Sequence, residues 1–97
     1  MALVFQRLAR KEAHAAEDWY AARSMRAAAR FRDAVVAAAG RTIADPESHA
    51  LIVGEFRQVR VKGFPFALIY RNLPTTDIVV VAVAHMSRRP KYWRRRQ

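Results

Sequence analysis

From Arg7 onward the apolar positions follow a helical period. Ala9, Ala13, Ala16 and Tyr20 recur at steps of four, three and four residues, so they share one side of a helix running to about Arg23. Arg10, His14 and Glu17 line the opposite side. Alanine favours helix and lets a neighbouring helix approach closely. Ser24 marks a break. A second helix is predicted from about Arg26 to Ala44, with Phe31, Val35, Ala38 and Thr42 as its inward stripe and Val36, Ala39 and Ile43 beside them. Gly40 weakens this helix by about 1 kcal/mol relative to alanine. Asp45-Pro46 ends it, because the residue before proline avoids helical angles. The short link between the helices implies an antiparallel hairpin.

After Pro46 the period changes. Ala2 to Phe5 reads as a short edge strand and Glu47 to Gly54 as a loop whose Leu51-Ile-Val can pack down. Phe56 to Val61 reads as a strand with one wet, basic face that carries Arg57 and Arg60. Gly63-Phe64-Pro65 punctuates the chain, Phe66 to Arg71 forms a further strand, and Asn72 to Asp77 is a turn. Ile78 to His85, IVVVAVAH, is β-branched and apolar on both faces, which marks a central strand. Such close spacing indicates hairpins. The expected architecture is α+β, in the order β-α-α-β-β-β, with the helical hairpin packed on a small, mainly antiparallel sheet. Residues 1–97 form one domain, and 86–97 form a basic tail.

Length and charge sharpen this picture. A chain of 97 residues with 53% hydrophobic content is long enough for one core. Its formal net charge is +10. The first 55 residues carry eight Lys/Arg against seven Asp/Glu, whereas the remainder carry ten against a single acid, Asp77. A field of one sign attracts nucleic acid, an acidic protein or anionic lipid, and charge alone does not choose among them; it also solubilises. The absence of cysteine excludes a disulfide scaffold, a thiol nucleophile and a cysteine-ligated metal. The longest apolar run, Ile78 to Ala84, is far short of the roughly 20 residues that span a bilayer, and Arg7 interrupts the N-terminal stretch too early for a secretory signal. The expectation is a soluble, cytoplasmic protein with no membrane partner.

Most enzyme signatures are missing. Three scattered glycines cannot form a phosphate loop, there is no paired-histidine metal spacing, and no cofactor or metal is expected. Glu12, Glu17 and Asp18 read as solvated charges pairing with nearby Arg and Lys. His14 and His49 read as surface residues. His85, at the end of the central strand, reads either as a general base or as a cap that holds the tail against the sheet. In the tail, Arg88, Arg89, Lys91, Arg94, Arg95 and Arg96 surround Tyr92 and Trp93. Guanidinium forks match phosphates and carboxylates, and aromatic rings stack on bases or fill pockets. Alternatively Tyr92-Trp93 packs back on the sheet and only the arginines face water.

The stretch FRQVRVKGFPFALIYR (Phe56–Arg71), followed by IVVVAVAHMSRRPKYWRRR (Ile78–Arg96), resembles the RelE/ParE superfamily of bacterial toxins. Trp19-Tyr20 late in the first helix and the Asp45-Pro46 stop fit the same pattern, while the inter-helix link Arg23-Ser-Met-Arg lacks the glycine or proline often found there. The resemblance implies a toxin neutralised by a cognate antitoxin. RelE-like members are ribosome-dependent mRNA endonucleases, and ParE-like members poison DNA gyrase. The strand position that often holds an essential arginine in the nucleases is Ala67 here, which can neither neutralise a phosphate nor move a proton. The Phe64-Pro65-Phe66 and AVAH-RRPxYW elements look closer to the ParE and plasmid-stabilisation group. The resemblance therefore implies non-covalent gyrase binding, with Arg88, Arg89, Tyr92, Trp93 and Arg94 as the contact. It places an antitoxin segment near Trp19, Tyr20, Phe31, Arg57 and Arg60. Two alternatives stay open. One is an mRNA endonuclease using His85 and Tyr92, with Arg71 and Arg88, on the ribosome. The other is a non-toxic nucleic-acid-binding module.

Overall fold

A computed structural model describes residues 2–96. The elements are β1 (Leu3–Phe5), α1 (Arg7–Ala21), α2 (Met25–Ala44), β2 (Leu51–Val53), β3 (Phe56–Val61), β4 (Phe66–Asn72) and β5 (Ile78–His85). The expected α+β architecture is present, with one more strand than the pattern predicted. The sheet runs β1-β5-β4-β3-β2, with β1 parallel to β5 and every other pair antiparallel.

The helices start and stop where side chains can satisfy their ends. Ser24 caps α2, its Oγ accepting from Ala27 N–H at 3.1 Å. This satisfies one of the N–H groups that a helix start leaves without an intrahelical partner. Asp45 leaves helical angles ahead of Pro46, as expected. On α2 the buried stripe is narrower than the pattern suggested. Ala28, Phe31, Ala38 and Thr42 are buried, but Val36 and Ile43 face solvent. A 3.6-residue period turns positions 36 and 43 about 100° away from 35 and 42, past the contact with the sheet.

Both faces of β5 are covered. Val80 and Val83 pack under the helices with Ala9, Ala16, Phe31, Leu68 and Tyr70. Val79, Val81, Ala82 and Ala84 face the other side, where they pack with Ala67, Ile69 and Trp93. A register shift makes this possible. Ile69 lies opposite Ala82 but Tyr70 lies opposite Val80, so Val81 has no partner on β4. This bulge resets the alternation along β5. The two-sided apolar run is thus satisfied by helices on one face and the chain's own tail on the other.

Three sequence expectations are corrected. Leu51–Val53, read as part of a loop, is an edge strand against β3, and Gly54 turns the chain with φ 55°. His49, read as a free surface residue, is half-buried, with its Nε2 3.0 Å from the Arg41 carbonyl and its ring 6.3 Å from that of Tyr70. Arg57 and Arg60 do not share a face. Arg57 lies opposite Tyr70, on the helix side, and Arg60 opposite Ala67, on the tail side. An odd separation on a strand always divides two side chains between the faces.

Candidate interaction surface at the end of the central strand

β1 stops at Phe5, but β5 continues to His85. Gln6 N–H reaches the Val80 carbonyl at 2.9 Å, and beyond that point no strand continues β1. Two side chains take its place. Glu12, on α1, accepts from Val83 N–H at 3.0 Å through Oε1. Arg96, in the tail, donates from Nη1 to the Val81 carbonyl at 2.9 Å.

Glu12 is also the anchor of the tail. Its Oε2 accepts from Tyr92 OH at 2.6 Å, and its carboxylate takes two bonds from the Arg96 guanidinium, at 2.9 and 3.1 Å. Arg88 adds a longer contact at 3.4 Å. The Glu12 side chain is only 14% exposed, so these charge-assisted bonds act in a partly desolvated setting. The guanidinium carbons of Arg88 and Arg96 lie over the Tyr92 ring, at 3.8 and 5.1 Å from its centre. Burial and the bond to Glu12 push the Tyr92 hydroxyl far above its usual pKa, despite the two nearby arginines. Tyr92 is therefore held protonated as a donor.

Glu12, expected from its sequence context to be a solvated acid, is instead the partly buried anchor of the tail, the principal correction at the site. A signal was present. Glu12 lies three residues after Ala9 and four before Ala16, on the flank of the stripe that α1 buries.

The tail residues expected to meet a target separate into three groups. Trp93 is 4% exposed and packs edge-on against Phe56, with ring centres 5.0 Å apart. It faces the sheet, over Ala67 and Ile69. Arg88 and Tyr92 are engaged with Glu12, whereas Arg89 and Arg94 are exposed. Lys91 and Arg95 are exposed beside them and line the same open hollow.

Of the four residues of the nuclease alternative, His85, Arg88 and Tyr92 line one hollow at the end of β5, and Arg71 stands apart from them. His85 Nδ1 accepts from Ser87 N–H at 3.1 Å and lies 2.7 Å from Ser87 Oγ, and its ring sits edge-on to Phe66. These bonds cap the turn from β5 into the tail. Phe66 pairs with His85, but Arg71 pairs with Val79. Five residues along β4, at about 3.3 Å each, put Arg71 roughly 16 Å from that strand end.

A second feature adjoins this clasp of Tyr92, Arg88 and Arg96 on Glu12. Trp19, Tyr20, Pro65, Phe66, His85 and Arg88 line an open groove of about 450 Å³ between α1 and the strand ends. Trp19 is 54% exposed, with the Arg23 guanidinium 3.5 Å over its ring. Tyr20 packs against Phe31 and Phe64, and Phe31 in turn against Phe66, at centre distances of 5.1–5.3 Å. Gly63, at φ 87°, makes the turn that brings Phe64 and Phe66 to this cluster. Phe31 is 1% exposed, so it supports the groove from beneath and offers no surface of its own. Arg57 donates to the His49 carbonyl at 2.7 Å, and Arg60 is exposed on the opposite face.

The family model for the ParE toxin of the parDE type II toxin–antitoxin system matches residues 3–90. This chain belongs to the ParE toxin family. The superfamily resemblance read in the sequence is borne out. A solved structure described as a chromosomal ParDE TA system from P. aeruginosa has the same fold, with a TM-score of 0.74 and 18% identity, covering 88% of this chain and 95% of that one. No curated protein matches the chain. The ParE match takes in α1, the groove and His85 but ends at Pro90, so Tyr92 and Arg96 of the clasp, and Trp93, lie outside it. None of the helices in the described residues is long and apolar enough to cross a membrane.

Proposed function

We propose that this ParE-type toxin acts by binding DNA gyrase non-covalently and is neutralised by a cognate antitoxin. The observation that carries the reading is the arrangement around Glu12. His85, Arg88 and Tyr92 lie together but are tied up in structural bonds, and Arg71 stands apart along β4, while exposed cations beside them remain available for binding. Ala67 adds to this. It is buried beneath Trp93, so the strand position that often carries a nuclease arginine is closed off.

On this reading Arg89 and Arg94 lead the target contact, with Arg88 and Tyr92 shaping its edge. The antitoxin segment lays an apolar side chain in the groove between Trp19 and Phe66. Its acidic residues neutralise Arg23 and Arg88 at the rim, which joins apolar burial to charge pairing. Two assays on the purified toxin decide the mode of action. Inhibition of gyrase supercoiling with trapped cleavage complexes supports the proposal. Cleavage of ribosome-bound mRNA at codon positions, with gyrase unaffected, overturns it.

A further inference from the structure

We infer that the outer face of the tail is a binding site for the phosphate backbone of duplex nucleic acid, independent of which protein the toxin targets. Arg89, Lys91, Arg94 and Arg95 line one open hollow of about 460 Å³ with Pro90 and Tyr92. Among the described residues, none of these four side chains has a carboxylate partner; Glu12 is taken by Arg88 and Arg96. Lys91 adopts φ 60°, the turn that separates Arg89 from Arg94 and Arg95 around the hollow. The clasp on Glu12 thus sorts the tail cations. Two fasten the tail, and four are turned outward on a fixed frame.

The same geometry selects the ligand. A protein partner is gripped chiefly by large apolar anchors in pockets. The lining of this hollow holds no such anchor, because Trp93 faces inward over Ala67 and Ile69, so a protein target that also uses Arg89 and Arg94 would be held there by charge alone. A single strand is held by stacking bases on free rings. Trp93 is buried, and Tyr92 packs on the inner cluster with two guanidinium groups over its ring. What remains is positive charge with hydrogen-bond donors, the chemistry that reads a regular array of phosphates and no sequence.

Fluorescence anisotropy on the full-length toxin, with labelled duplex DNA of arbitrary sequence, tests this. Four phosphate contacts predict a log–log salt slope of about −3.6. Arg94→Glu/Arg95→Glu is expected to bind at least tenfold more weakly at about 50 mM salt, with a slope shallower by about 1.8. Both residues are exposed and have no carboxylate partner among the described residues, so an unchanged melting temperature will show that the fold is retained. Arg26→Glu/Arg30→Glu, the same charge change on exposed positions of α2, is expected to leave the slope unchanged. Equal loss in both variants would reduce the effect to net charge and overturn the site. Tighter binding of a single strand of equal length would overturn the duplex assignment, and absence of duplex binding by the unaltered toxin would overturn both.

Discussion

Tyr92 donates its hydroxyl to Glu12 at 2.6 Å, joining the C-terminal tail to the first helix. Glu12→Ala leaves the Val83 N–H unpartnered and Arg96 partly buried without its anion. The expected loss of stability is about 2–4 kcal/mol, measured by urea denaturation. Glu12→Gln keeps one acceptor oxygen, for either Val83 N–H or Tyr92 OH, and is expected to cost less than Glu12→Ala. Equal stability of Glu12→Ala and the parent would show that the clasp contributes nothing.

Trp93 closes the second face of the sheet. Trp93→Ala uncovers Ala67, Ile69 and Val81 and is expected to cost about 3–5 kcal/mol. Thermal unfolding checks the magnitude. In a Trp19→Phe background, Trp93 is the remaining tryptophan, so a red shift of its emission on Glu12→Ala would report release of the tail.

The groove separates surface from support. Trp19→Ala removes an exposed ring and is expected to change stability by less than about 1 kcal/mol. It should weaken binding of the cognate antitoxin about tenfold or more if the ring anchors that segment. Phe31→Ala should cost about 3–5 kcal/mol of stability, because Phe31 is buried beneath Tyr20, Phe64 and Phe66. Calorimetric titration against the antitoxin and a denaturation curve separate the two effects.

Alkaline pH should loosen the fold. Burial raises the Tyr70 hydroxyl, which donates to the Pro46 carbonyl at 2.6 Å, and burial together with Glu12 raises Tyr92. A raised folded pKa means that the stabilisation is complete below the unfolded value of about 10 and is lost as pH rises above it. Stability should therefore hold from neutral pH to about 10 and then fall. Tyr92→Phe, although less stable at pH 7, should show a shallower fall, read from denaturation midpoints across the alkaline range.

Periodicity revealed most of the architecture because it reports burial directly. The α1 stripe follows from spacing, the α2 stop at Asp45 from the proline that follows it, and the central position of β5 from a run apolar on both faces. β2 was missed because three residues, ended by Gly54, are too few to show an alternation. The tail was harder. Its composition announces charge, but whether Trp93 faces in or out depends on a bulge at Val81 and a carboxylate eighty positions upstream of Tyr92. Neither leaves a local signal. Glu12 reads as one acid among several on its helix, although its position on the stripe's flank is the available clue.

The unpaired reach of β5 past Val80 has a consequence for how copies of this protein behave in a crowded solution. Bare strand margins recruit strands from other molecules and seed aggregates. Here a carboxylate and a guanidinium occupy that margin, so a toxin that loses either plug would also lose a barrier to self-association.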